Sequence, residues 1–198
     1  MRNRRTMRLA GYDYSQAGAY FVTICAYNRE CLFGEIKDGI LILNKYGEIV
    51  KDEWERTGRI RPNIIIDDFV IMPNHLHGII VINVVGAHCN VPLRINKMEH
   101  TEKFGCSTKN SIPTIVKLFK STTTKQINKL RNIPGTDVWQ RNYYEHVIRD
   151  DAELNRIRQY IMENPLKWDT DSENPNNIRD SLLPKLMSGK IRVNTANY

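Results

Sequence analysis

The chain has 198 residues, of which 41% are hydrophobic and 26% charged, a balance that fits one globular domain with appendages. No apolar run reaches the length of a bilayer span, and the basic start MRNRRTMRLAGYDYS lacks the apolar segment of a secretory signal, so a cytoplasmic protein with no membrane partner is expected. Lys plus Arg (29) exceeds Asp plus Glu (22), leaving a net charge of +7 that suits a polyanionic partner.

Residues 1–18 read as a basic N-terminal arm with Arg2, Arg4, Arg5 and Arg8, followed by Tyr12 and Tyr14. Residues 19–27 (AYFVTICAY) are aromatic and β-branched, the composition of a strand. Residues 31–36 are expected to pair with it, and Asp38-Gly39 is a hairpin turn into 40–43. Asn44 caps a helix running to about Thr57, with Tyr46, Ile49, Val50 and Trp54 as its buried stripe and Gly58 as its end. Strands follow at 63–71 and 75–84, separated by Met72-Pro73-Asn74.

Periodicity then disappears over 85–110, a loop insertion. Ser111 and Pro113 open a helix through about Leu130, with Ile115, Leu118 and Phe119 inward and lysines outward. Residues 138–148 (VWQRNYYEHVI) are aromatic and mostly extended. Asp150 starts a helix that runs to Asn164, where Pro165 stops it. A polar tail occupies 169–198, with one apolar patch at 182–187. The domain proper is expected over 19–168.

The four cysteines, Cys25, Cys31, Cys89 and Cys106, form no C-x-x-C pair, and Cys25 reads as a small buried hydrophobe. His88, Cys89, His100 and Cys106 match no standard zinc spacing. Two adjacent long strands in mid-chain, with helices between strand groups, point to an α+β fold. The expected form is an RRM-like or ferredoxin-like antiparallel sheet with helices packed on one face.

The most informative stretch is MPNHLHGIIV, residues 72–81. Side chains alternate along a strand, so His75 and His77 share a face while Leu76 points away. An isolated pair of this kind is an ordinary half-exposed feature; a chemical site needs further groups. The helix over 150–164 offers them: Tyr160 and Asn164, four apart, share a helix face beside the apolar stripe Leu154, Ile157 and Ile161. A phenol ordinarily titrates near ~10, so a tyrosine nucleophile at neutral pH needs a base or a metal-polarised phosphate.

MPNHLH before an apolar strand, followed by WQRNYYEHVIRDDAELNRIRQYIMENPLKW, resembles the REP-associated tyrosine transposases, a branch of the single-tyrosine HUH (His-hydrophobic-His) transposases. YDYSQAGAYFVTICAYNRECLFGEI is similar to the opening of that group, and the likeness spans about residues 11–170. It implies an RRM-like sheet and a metal-dependent single-stranded DNA strand transferase working through a 5′-phosphotyrosine. It also implies Tyr160 as nucleophile, His75, His77 and Asn164 as metal ligands, and Mg²⁺ or Mn²⁺ as the ion. The partner would be hairpin-forming single-stranded DNA with a short flanking recognition sequence, bound by a monomer.

For DNA contact, the basic and aromatic residues to consider are Arg4, Arg8 and Tyr12 in the arm and Lys117 and Lys120 on the helix. Trp139, Gln140, Arg141 and Tyr143 join them from the extended segment. Tyr144 is a further stacking residue, and His146 reads as a packed histidine. Two rivals stand beside this expectation. One is a non-catalytic RRM-like module for single-stranded nucleic acid, although the aromatic signature of an RNA-binding sheet is missing. The other is a metal-dependent nuclease in which water attacks.

Overall fold

β1 (Gly18–Cys25) is the centre of the molecule: it pairs antiparallel with β5 (His75–Ile82) on one side and with β6 (Tyr144–Ile148) on the other. With β4 (Ile64–Ile71) beyond β5, the four-stranded antiparallel sheet has the order β4-β5-β1-β6. The computed structural model describes residues 12–83, 110–171 and 173–175.

The hairpin β2 (Gly34–Lys37) and β3 (Ile40–Leu43) turns at Asp38 and Gly39, both at positive φ (51° and 73°). Such a two-residue turn matches the right-handed twist of its strands. It forms a separate two-stranded sheet, which corrects the expected pairing of 31–36 with the first strand. The ladder partners of β1 are both taken, by β5 and β6, so no edge remains for it.

α1 (Lys45–Arg59) starts where expected, with the Asn44 side chain accepting from the Tyr46 and Gly47 amides. It continues through Gly58 to an Ile60 cap, so Gly58 does not end it. α2 (Ile112–Leu130) buries Ile115 and Phe119, whereas Leu118 is 47% exposed and belongs to the outer face. Both helices cover one face of the sheet. Tyr20, Val22 and Ile24 of β1 and Leu76, Ile80 and Ile82 of β5 close there against Val50, Trp54, Ile115 and Phe119. A Cβ on Gly78 would stand 2.7 Å from the Trp54 ring, so the close approach of the indole to β5 requires glycine there.

The odd-numbered residues of β1 and β5 look the other way, and α3 (Asp151–Glu163) packs against them. Ala19, Phe21, Ile79 and Ile148 meet Ile161, Leu154 and Ile157. The antiparallel α+β plan is thus present, but the expectation of helices on one face holds for α1 and α2 alone. Asp150 caps α3 through the Glu153 amide, and Asn164 ends it before a 3-10 turn over Pro165–Thr170. A register shift in β4 between Ile66 and Phe69 lets Asp67 reach α3, where its carboxylate takes both Arg158 Nε (3.0 Å) and Nη2 (2.6 Å). Burial alone would raise the Asp67 pKa, but the Arg158 bonds and the Asp68 amide hold it below the usual carboxylate range. At the start of the helix Glu153 accepts from the Arg149 amide and pairs with His146 at 2.8 Å.

The sequence boundaries of the domain shift in two places. Tyr14 is buried and stacks edge-on with Tyr12 at 4.9 Å, so both belong with the core although they precede residue 19. At the other end, residues 171, 173 and 174 fold back on the sheet and are part of the domain rather than of a free tail. Arg2, Arg4, Arg5, Arg8, the insertion with His88, Cys89, His100 and Cys106, and the patch at 182–187 lie outside the described residues. No helix among the described residues is long and apolar enough to cross a membrane.

Candidate functional site

β5 starts with His75 and His77 on the α3 side of the sheet, and both rings are buried (0% and 4% exposed). They stand 4.4 Å apart, centroid to centroid. Their register partners on β1 are Cys25 and Thr23, and Phe21 stacks on the His77 ring at 5.4 Å. Each Nδ1 has a neighbour: Asn74 Oδ1 at 2.7 Å for His75 and Thr23 Oγ1 at 2.8 Å for His77. The Asn74 oxygen can only accept, so His75 carries its proton on Nδ1 and leaves the Nε2 lone pair bare. That Nε2 is buried and lacks a hydrogen-bond partner among the described residues. Partners of this kind fix the ring orientation and tautomer of metal-ligating histidines.

Burial, with a lesser push from Arg29, lowers the His75 pKa to about 3. His77 is lowered to about 3 by burial and then by His75, with Asp171 opposing. Both imidazoles are therefore neutral at physiological pH, the state in which histidine binds a cation.

Tyr160 comes from α3, 83 residues downstream, and its hydroxyl lies 3.2 Å from His77 Nε2. The phenol ring also packs edge-on against Phe21 and His77. Tyr160 remains 43% exposed, so a substrate can reach it from solvent. Burial and then Asp171 raise its pKa, while a hydrogen bond from Asn164 works in the opposite direction. Asn164, one helical turn on, is buried at 2% exposure, and its Oδ1 has no hydrogen-bond partner among the described residues.

A residue that sequence reasoning missed completes the cluster. Asp171, just past the 3-10 turn, brings a carboxylate oxygen to the histidines, and the ligand atoms of His75, His77 and Asp171 all lie within 4.8 Å of one another. Nothing in the local pattern marks Asp171, because its side chain reaches the site only when the chain after Pro165 turns back. An unpartnered buried imidazole nitrogen, neutral rings and an adjacent carboxylate suit a divalent cation.

The expected DNA-contact residues scatter. Trp139 is 6% exposed, bridges Ala26 and donates its indole N–H to Thr123 at 2.8 Å, so it is a core aromatic and offers no face to a base. Tyr12 packs on Tyr14 and Tyr20 instead of standing free in an arm. Lys120 is not outward: its ammonium donates to the Gln140 and Asn142 carbonyls, both at 2.9 Å, and lies 5.5 Å from the centre of the Tyr143 ring. Burial lowers its pKa to about 8. Gln140 and Tyr143 are half-buried, and Lys117 and Arg141 are exposed. A groove of about 790 Å³ between α2 and residues 132–141 includes Lys120, Lys125, Lys129 and Arg141 in its wall.

No protein-family model matches the chain. Its fold is similar to a REP-associated tyrosine transposase solved bound to a REP hairpin, at 20% identity and a TM-score of 0.49, covering 84% of this chain and 74% of that one. A proposed transposase of Deinococcus radiodurans R1 is similar at 14% identity and a TM-score of 0.41, covering 80% of this chain and 97% of that one. An uncharacterized protein of Haemophilus influenzae (strain Rd) is 45% identical over 170 residues, which is 85% of this chain and 92% of that protein. Identity at that level over nearly the full length places the two in one family: the chain belongs to the family of the Haemophilus influenzae protein.

Proposed function

We propose that the protein is a tyrosine transposase of the REP-associated kind, which cuts and rejoins single-stranded DNA through Tyr160. The observation that carries this reading is the 3.2 Å approach of the Tyr160 hydroxyl to His77 within one chain. It brings the His-hydrophobic-His strand and the tyrosine helix of the motif resemblance to a single point. His75 and His77 would hold a divalent ion, Mg²⁺ or Mn²⁺, with Asn164 beside them, and imidazole donors favour Mn²⁺ over an all-oxygen Mg²⁺ site. When bound, the ion supplies Lewis-acid polarisation and in-line placement of the scissile phosphate.

The chain's own residues do the rest. The Tyr160 hydroxyl and His77 Nε2 share one hydrogen bond at 3.2 Å, its direction set by the His77 tautomer. If His77 Nε2 held an ion, it would no longer hold the phenol, and the Tyr160 hydroxyl would be free to face substrate. The Asn164 hydrogen bond favours the phenolate over the phenol and steers the oxygen. Attack forms the Tyr160 Oη–P bond and breaks the P–O3′ bond, giving a 5′-phosphotyrosine and a free 3′-hydroxyl. That hydroxyl can reverse the step and join strands without ATP. Since both halves come from one chain, a monomer suffices.

The test is a denaturing gel with end-labelled single-stranded hairpin DNA and Mn²⁺. A covalent protein–DNA band is expected with the native protein and none with Tyr160→Phe. Cleavage by Tyr160→Phe at the native rate would establish water as the nucleophile. DNA binding without cleavage by the native protein would leave a binding module.

A further inference from the structure

We propose that Asp171 is the carboxylate ligand of the His75–His77 site. This rests on the reading of the two histidines as metal ligands and adds a residue that the motif resemblance does not supply. Asp171 Oδ2 lies 4.0 Å from His75 Nε2, and the Asp171 side chain is only 7% exposed. Two ligands of one ion, each about 2.0–2.2 Å from it, sit roughly 3–4.4 Å apart. The 4.0 Å spacing of His75 and Asp171 falls within that range.

The carboxylate is held in position. Its Oδ1 accepts the Glu173 amide at 2.7 Å. Asn74 fastens the same segment to the head of β5: its Nδ2 donates to the Glu173 carbonyl at 2.7 Å and the Arg29 carbonyl at 3.1 Å, while its Oδ1 takes His75 Nδ1. The Glu173 side chain is tied to Arg29 at 3.2 Å. One asparagine thus sets both the tautomer of His75 and the position of the segment carrying Asp171, as expected where outer partners orient ligands. Two imidazoles and one carboxylate leave coordination positions open for a phosphate oxygen, and the carboxylate halves the net charge brought by a divalent ion.

The experiment is Mn²⁺ titration of the full chain without DNA, read by loss of the free-ion electron paramagnetic resonance signal, with thermal melting as the check on folding. Asp171→Asn keeps the side-chain shape and removes the charge. It is expected to weaken Mn²⁺ binding by roughly 10–100-fold, the range seen when partners of a metal site are lost. Asp171→Ala serves as the second variant should the amide replacement disturb the segment. If His75→Ala loses Mn²⁺ while both Asp171 variants, still folded, bind it as the native protein does, Asp171 is not a ligand and the proposal falls alone. If the native protein binds Mn²⁺ no better than His75→Ala, the metal reading of the histidines falls, and this proposal with it.

Discussion

Beneath α1 and α2 the sheet presents Tyr20, Val22, Ile24, Leu76 and Ile80 to Trp54 and Phe119, and almost every contact is apolar. Beneath α3 it presents Ala19, Phe21 and Ile79 to Ile161, and the rest of that surface goes to His75, His77 and Thr23. The two faces are built from alternate residues of the same strands. The first removes a large apolar area from water, at roughly 25 cal/mol per Å², and holds most of the stability. The second gives up packing to keep two imidazoles neutral and a phenol within reach. Its helix is mounted by directed polar contacts, Asp67–Arg158 and His146–Glu153, as well as by Ile161. Changes on the first face should alter stability and leave the site's chemistry intact, and changes on the second should act on the site's chemistry as well as on stability.

The largest effect expected on stability is at Trp54, which is fully buried against Gly78 and Phe119. Trp54→Ala should cost about 3–5 kcal/mol in urea unfolding, with Mn²⁺ affinity of the folded fraction unchanged. A loss under about 1 kcal/mol would break the contrast between the faces.

An intermediate effect is expected from acid on the metal-free protein. Both imidazoles fall from 6.5 to about 3 on folding. The unfolded chain therefore takes up protons below about pH 6.5 that the folded chain refuses until about pH 3. Stability from this source is full above pH 6.5 and is lost as pH falls through that window, roughly 2 kcal/mol per ring between pH 7 and pH 5. Urea midpoints measured in chelator at the two pH values check this, and His77→Gln should roughly halve the difference. A midpoint independent of pH would mean the rings are not held neutral.

The smallest effect on stability should come from Asp67→Asn, which loosens the Arg158 clamp. Arg158 is 38% exposed at its side chain, so the cost should stay near ~0.5–1 kcal/mol. The rate of covalent adduct formation should nevertheless fall about tenfold or more, because small misplacements of a reacting group are costly. Adduct formation at the native rate would show that apolar packing alone aims α3.

Periodicity and local chemistry account for what could be read directly. The alternation of MPNHLHGIIV places both histidines on one face, Asn44 and Asp150 cap the helices they precede, and Asp38-Gly39 makes the hairpin. Tyr160 and Asn164 share a helix face by spacing, and both reach the site. Other features were not legible because they depend on what lies across a gap. Leu118 is apolar yet faces out, and Lys120 is charged yet turns inward to satisfy two carbonyls of the segment before β6. Trp139 fills the core because Thr123 offers it an acceptor.

By itself, then, the sequence determined most of the elements and put His75 with His77, and Tyr160 with Asn164, on common faces, since strand and helix repeats are local properties of the backbone. Only the tertiary structure decided that α3 crosses the histidine face and that residues 171–174 return to it. Both depend on partners far apart in the chain. The approach of α3 rests on a shift in β4 that frees Asp67 for Arg158, and the return of the segment rests on an Asn74 that bonds His75 and Glu173 at once.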